Sequence, residues 1–438
     1  MDTRIDQIKL TNFRCFPSLS LALDPSCTVL VAGNGGGKTA VLDALAGVLR
    51  WVVGGLLNAV TDDFPPRDVR VSDHGAARIE HYPASAEATG VFFGRQHTWQ
   101  WERQDENGTT LSVQPMLSAP GATAEGGDTA WPVFAYYGTG RRWSTELSAP
   151  RRGLVRRVDA YVDCLQPAST FGALAQWFEA MSRESQRERA DGVTSPHQPT
   201  ARLLAVRRAV DAVLAQVGWS QLAWDFVREE IVARHPTQGQ LPVSMLSDGV
   251  RGVLAMVADL AHRCARLNPH LGADAPAQTE GVVLVDEVDM HLHPAWQQTI
   301  LGTLRAVFPR VQWVVTTHSP QVLSTVHARH IRVLPDDPVR DGVRTPMQQT
   351  RGVESAEVLA TVMGVDPVPH VEEAQWLSDY RAKIADGEAD TAEAQTLRAR
   401  LDAHFGAQHP VMIDCDRLLR FQAFRLRRAQ TGAPKEGA

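Results

Sequence analysis

At 438 residues the chain is longer than one average domain, with room for one large core carrying insertions or for two domains. Hydrophobic residues make up 44% and charged residues 21%, which excludes a disordered polymer, and the formal net charge of -6 gives no whole-molecule support for nucleic-acid binding. Five scattered cysteines (15, 27, 164, 264 and 415) lack C-x-x-C spacing and fit a reducing cytoplasm, and no leader pattern or bilayer-length apolar run stands out, so a soluble cytoplasmic protein without a membrane partner is expected.

In chain order, Ile5–Leu10 and Leu19–Leu23 alternate apolar and polar residues as half-buried strands do, and Asp24-Pro25-Ser26 reads as a turn. Thr28–Val31 is an apolar β-type run that ends in glycines, and a helical pattern starts at Thr39. Between about 61 and 130, short strand-like pieces among Pro, Gly and Asp predict an antiparallel β-subdomain. A helical insertion is expected over about 145–236, interrupted by the polar stretch 190–200; it lacks sustained heptads and so should be short. Beyond Leu241 come a helix (Val250–Leu267), a strand (Val282–Val285), a helix (Trp296–Val307) and a strand (Val311–Val315). Strands alternating with helices imply an α/β fold around a mainly parallel sheet. From about 350 the composition becomes helical and charged, which sets an expected division into 1–330 and a mainly helical 331–438.

Three segments carry chemistry. Residues 32–39 read Ala-Gly-Asn-Gly-Gly-Gly-Lys-Thr between a strand and a helix, the setting of a phosphate loop. Asn34, Gly35, Gly36 and Gly37 let main-chain N–H groups turn onto phosphate oxygens, Lys38 reaches the β/γ-phosphates, and Thr39 offers a hydroxyl to Mg²⁺. The motif's usual first glycine is Ala32, with Gly33 directly after it. Asp286-Glu287 follows the apolar run Val282–Val285, which gives Asp286 a Mg²⁺-holding role and Glu287 the role of orienting or deprotonating the attacking water. His318, delivered by the strand ending at Val315, is placed to touch a γ-phosphate at the sheet's carboxyl edge. His291 and His293 are read as shaping the adjacent loop and not as zinc ligands.

These segments, in this order, resemble the ABC-type P-loop ATPases of the RecF, SMC and OLD group. Ile8-Lys-Leu-Thr-Asn-Phe-Arg-Cys-Phe16 looks like that group's first strand, whose arginine, here Arg14, lies near the nucleotide. Leu246-Ser-Asp-Gly-Val-Arg251 looks like the ABC signature, with Asp248 where transporters carry glycine; Asp286 to Pro294 looks like the Walker B and D-loop segment. The resemblance implies ATP and Mg²⁺ as cofactors and homo-oligomers that sandwich ATP, with Ser247 and Gly249 of one copy meeting the γ-phosphate held by Lys38 of another. Trp131 to Arg141, Tyr161 to Leu165, Trp376 to Tyr380 and Asp414 to Arg417 are further similar to the PtuA-like ATPases of Septu anti-phage systems. That likeness implies an HNH nuclease partner of the PtuB kind, with DNA reached through the complex.

Two other readings share the catalytic motifs. A RecF-like repair ATPase would use Arg141, Arg142, Arg151, Arg152, Arg156 and Arg157 against DNA phosphates. An OLD-like ATPase-nuclease would need a metal-binding domain after 330, where Asp414 and Asp416 are the tempting acids; their Arg-flanked helical setting favours ion pairing. A transporter subunit is disfavoured by the N-terminal strand pair and the Asp-Met-His-Leu-His-Pro segment ending at Pro294.

Overall fold

The computed structural model describes residues 3–57, 65–74, 77–106, 108–114, 129–141, 156–167, 172–191 and 199–431. The chain forms two compact units, Met1–Met363 and Gly364–Ala438.

The first unit opens with β1 (Arg4–Phe13), β2 (Phe16–Ala22), β3 (Cys27–Val31) and the helix α1 (Lys38–Leu57). The alternation in the sequence is that of β1 and β2: Ile8, Leu10, Leu19 and Leu21 face inward while Lys9, Thr11, Ser18 and Ser20 face water. All five residues of β3 are buried, as in a strand covered on both faces. By length and composition α1 could cross a membrane, yet most of it is buried within this unit's core.

The region expected to be an antiparallel subdomain supplies β4 (Val71–His74), β5 (Ala77–Glu80), β6 (Ala84–Phe92), β7 (Arg95–Arg103) and β8 (Thr109–Gln114). Strands β6, β7 and β8 join β1 and β2 in one five-stranded antiparallel sheet of order β2-β1-β6-β7-β8, and β4 pairs with β5. After β9 (Val133–Tyr137) come α2 (Gly172–Asp191) and α3 (Pro199–Leu214), the expected helical insertion. The insertion is not helical to its end, however. Residues 220–242 form a small antiparallel sheet of β10 (Ser220–Asp225), β11 (Glu230–His235) and β12 (Gly239–Pro242). Its second hairpin turns at Gly239, whose φ of 76° suits a residue without Cβ.

Next are α4 (Asp248–Leu267), α5 (Ala275–Gln278), β13 (Gly281–Val285), α6 (Pro294–Gln297), α7 (Ile300–Val307), β14 (Val311–Thr316), α8 (Pro320–Leu323), β15 (Ile331–Val333) and α9 (Ser355–Thr361). The helix expected over Trp296–Val307 is broken at Thr299, whose φ of -124° is not helical and whose hydroxyl donates to the Trp296 carbonyl. The central sheet has the order β15-β3-β14-β13-β9 and is parallel throughout. Because β14 lies between β3 and β13, the carboxyl ends of these three strands stand side by side, where ligands of open α/β sheets gather.

Gln312 joins the two large sheets. Buried on β14, its amide accepts from Ile5 N at 2.8 Å and donates to Ile5 O at 2.8 Å and Asp24 O at 3.0 Å. Another buried polar group is left without such partners. The ring nitrogens of His262 on α4 make no hydrogen bond, and the ring packs on Trp177 at 4.4 Å between centroids. Burial, with the charges of Arg266 and Arg263 adding to it, holds its pKa well below the usual histidine value.

The division between units falls after Met363 and not after 330 as expected, because Ile331, Leu334, Val358 and Val362 join the first unit's core. The second unit consists of α10 (Glu372–Asp386), α11 (Ala392–Phe405) and α12 (Pro410–Thr431) around Tyr380, Ile384, Leu401, Met412 and Cys415. Asp416 pairs with Arg398 at 2.5 Å and Asp414 with Arg417 at 3.2 Å, so both acids serve ion pairs.

Candidate nucleotide site

The phosphate loop leaves β3 and enters α1 with Gly35 at φ 77° and Gly37 at φ 84°. Only glycine fits at 37: a Cβ there would lie 2.2 Å from Cζ of Phe16 and 2.7 Å from Sγ of Cys15. The β1–β2 turn therefore forms the floor of the loop. Arg14, at φ 48° in that turn, pairs at 2.7 Å with Asp43 of α1 and at 2.7 Å with Asp68. Burial alone would lower its pKa, but Asp68 and then Asp43 outweigh that and hold it above the ordinary value. Tyr136 of β9 donates to the other oxygen of Asp43 at 2.9 Å.

Lys38 is buried, and its Nζ curls back to donate to the carbonyls of Ala32 at 2.9 Å and Gly33 at 3.0 Å. Desolvation lowers its pKa, opposed by the charges of Asp286, Glu287 and Asp289. Thr39 Oγ1 donates to Asp286 Oδ2 at 2.8 Å, and Thr316 Oγ1 donates to Asp286 Oδ1 at 2.6 Å. Both oxygens of the carboxylate that follows β13 are thus held by hydroxyls, one from the first turn of α1 and one from the end of β14.

Glu287 follows in the left-handed region, φ 48°, uncommon for a residue with a side chain. Its N–H donates to Thr316 Oγ1 at 2.8 Å. Arg141, from the loop after β9, donates Nη1 to the carbonyl of Asp286 at 2.6 Å and Nη2 to that of Glu287 at 2.7 Å. Thr317 donates to Asp289 at 2.5 Å, which ties the β14 loop to the turn after β13 and sets the backbone from which His318 extends, half-buried.

The structure brings Lys38, Thr39, Asp286 and Glu287 to one edge. Ser247 and Gly249 sit elsewhere: Ser247 is exposed at the N-terminus of α4, and its side chain makes no capping bond. Gly249 is pressed on the turn after Glu287, where a Cβ would lie 2.3 Å from the carbonyl oxygen of His291. A cavity of about 380 Å³ opens beside this contact, lined among others by Thr139, Arg141, Gly249, Arg251 and His291. His293 accepts from Ala295 N through Nδ1 and caps α6, a loop-shaping role in keeping with the sequence reading. Among the described residues no group of histidines, cysteines and acids forms a separate metal cluster.

A family model described as "AAA domain" matches residues 7–114, and one described as "AAA domain, putative AbiEii toxin, Type IV TA system" matches 222–324. The chain is 34% identical over 176 residues to the retron Ec83 probable ATPase of Escherichia coli, covering 40% of this chain and 31% of that protein. It is 35% identical over 112 residues to the Septu protein PtuA of Bacillus mycoides, covering 25% of this chain and 15% of that protein. A second Septu protein PtuA, from Bacillus thuringiensis, is 26% identical over 30% of this chain and 34% of its own length.

The chain is a P-loop ATPase that resembles Septu PtuA over part of its length.

Its matches span about a third or less of the length of these curated relatives. The SMC head domain from Thermotoga maritima aligns with 78% of this chain and 99% of its own at 14% identity and a TM-score of 0.44, and the fold assignment rests instead on the parallel sheet and its loops. Two arginines that a repair-ATPase reading would set against DNA phosphates are used within the protein instead. Arg141 is turned inward onto the carbonyls of Asp286 and Glu287, and Arg157 donates to the carbonyls of Leu267 at 2.7 Å and Thr129 at 2.8 Å. Of that basic group, 142, 151 and 152 lie outside the described residues. Asp289, Thr316 and Thr317 lie inside the segments that carry chemistry without having been given a role, and Arg141 belongs to the basic group of the repair reading. The two threonines directly precede His318 and were available as a signal, whereas nothing local to Arg141 marks its partner 145 residues away.

Proposed function

We propose that the chain binds and hydrolyses Mg²⁺-ATP and that two copies close on the nucleotide, as the ATPase of an anti-phage defence complex. The observation that carries this is the meeting of Thr39 with Asp286, beside Lys38 and Glu287, at the carboxyl edge of a parallel sheet. The residues fit the missing ligand. Lys38 spends its protons on two main-chain carbonyls and on no carboxylate, so a phosphate can take them over, and Thr39 with Asp286 presents the hydroxyl and carboxylate that P-loop proteins use for Mg²⁺. Bound Mg²⁺ supplies charge neutralisation at the transferred phosphoryl group. Asn34 and Gly35 to Gly37 would cradle the phosphates, Glu287 would orient and deprotonate the water, and His318 would touch the γ-phosphate. Arg14 would border the nucleotide from the loop floor.

Ser247, exposed and without a capping bond, and Gly249 would complete the site of a second copy. ATP then acts as a clamp whose hydrolysis removes the charge that both surfaces read. The likeness to Septu PtuA and to a retron ATPase supports a defence role, and with it control of an HNH nuclease that acts on DNA in the cytoplasm. The inward use of Arg141 and Arg157 counts against the repair-ATPase alternative, which needs them on the surface.

Size-exclusion with light scattering tests the clamp. Glu287→Gln should hold ATP and run as a larger species only when ATP is present, and Lys38→Ala should bind no ATP. A Glu287→Gln chain whose mass ignores ATP sinks the clamp, and wild-type protein without ATP turnover sinks the assignment as a whole.

A further inference from the structure

The turn that aims Asp286 and Glu287 is built from a conformation that side-chain-bearing residues seldom adopt. Glu287 lies at φ 48°, and His291 four residues on lies at φ 61°. Such a turn persists only where its surroundings fix it. Asp286 N donates to Tyr137 O at 2.8 Å, Glu287 N donates to Thr316 Oγ1 at 2.8 Å, and Met290 N donates to Glu287 O at 3.0 Å. Those bonds hold the two amides and one carbonyl. The orientation of the peptide that joins Asp286 to Glu287 depends on its own carbonyl, and there a guanidinium arrives from the loop after β9.

Arg141 meets that carbonyl at 2.6 Å and the next one at 2.7 Å, and it is anchored by a third bond from Nη1 to Gly138 O at 3.0 Å. Two consecutive carbonyls gripped by two nitrogens of one planar fork leave the intervening residue, Glu287, little freedom in φ and ψ. The cation is also set within reach of the charges of Asp286, Glu287 and Asp289. Its hydrogen bonds go to main chain, so it can stabilise those acids without occupying the carboxylate oxygens that a metal or a water needs.

We propose that Arg141 is a positioning residue for ATP hydrolysis: its guanidinium fixes the Asp286–Glu287 turn so that Glu287 faces the attacking water. The proposal rests on the reading of the site as an ATPase. Lysine cannot replace it, because one ammonium on a flexible stem does not span two carbonyls in a set plane.

The test uses the full chain and compares wild type, Arg141→Lys and Arg141→Ala in steady-state ATP turnover, with binding of a fluorescent ATP analogue measured separately. For both variants kcat should fall tenfold or more while KM and analogue affinity stay within about twofold, and millimolar free guanidinium should restore part of the Arg141→Ala rate. Arg141→Lys carries the test alone if Arg141→Ala does not fold. Unchanged kcat in Arg141→Lys overturns the proposal, and so does a loss of kcat that comes with an equal loss of nucleotide affinity and of melting temperature, which would mean a merely structural role. If wild type itself turns over no ATP, the underlying ATPase reading has failed, a result distinct from either variant outcome.

Discussion

Thr39 donates its hydroxyl proton to Oδ2 of Asp286 across 247 residues of sequence, at 2.8 Å. A hydroxyl from the phosphate loop and a carboxylate from the neighbouring strand but one thus already share a single point in space. On the proposed reading, a divalent ion entering between them would replace a bond they make with each other, and both would be pre-aimed at it.

Thr39→Val keeps the shape of the side chain and removes the hydroxyl. The Mg²⁺ concentration that half-saturates ATP turnover should rise on the order of 10–100-fold, as for lost metal-site partners elsewhere. Titrating Mg²⁺ at fixed ATP checks this, and an unchanged midpoint would remove Thr39 from the metal site.

Gly249→Ala places a methyl 2.3 Å from the His291 carbonyl oxygen, a main-chain atom with nowhere to go. Overpacking of this kind costs about 1–3 kcal/mol. The expected result is a lower urea midpoint and loss of ATP-driven self-association, with ATP affinity of the single chain within about twofold. A variant that still pairs normally on ATP would show that the contact between α4 and the turn after β13 is dispensable.

Gln312→Leu strips three hydrogen bonds from buried main chain, those of Ile5 N, Ile5 O and Asp24 O. With the desolvation of orphaned polar groups counted, the loss should be about 2–4 kcal/mol, read by urea unfolding. A loss under about 1 kcal/mol would mean that water replaces the amide.

His262 gives a pH dependence with a definite sign. Its folded pKa lies well below the ordinary 6.5 because the ring is buried, so below pH 6.5 the unfolded chain takes up a proton that the folded chain refuses. Stability from this group is therefore full above 6.5 and declines as pH falls, by up to about 1.4 kcal/mol per pH unit. His262→Leu should flatten the fall in stability between pH 6.5 and 5 relative to wild type. Parallel curves for the two proteins would acquit the histidine.

Much of this was readable in the chain. Glycines at 35 and 37, a lysine in a lysine-poor sequence and two acids after an apolar run are local patterns, and the local backbone obeys them. Arg141 reads as a surface cation because its partners are carbonyls, which have no sequence signature, on a turn far along the chain. Strands β10 and β11 fall inside the stretch expected to be a helical insertion because their hairpin is short and polar at its turn, and a few apolar residues such as Ile231-Val-Ala233 satisfy either period. The unit boundary moved because Val358 and Val362 spend their burial on the core that precedes them, a choice that composition does not reveal.

In the central sheet, β3 is hydrogen-bonded to β14 and β15 and to no strand made before them. The segment that bears the phosphate loop precedes these partners by well over half of this sequence, and it gains them only once residues 311 to 333 have left the ribosome. A nascent chain therefore carries the loop without the frame that makes it a binding pocket while the intervening residues are made, and nucleotide capture is deferred until the long-range contacts close.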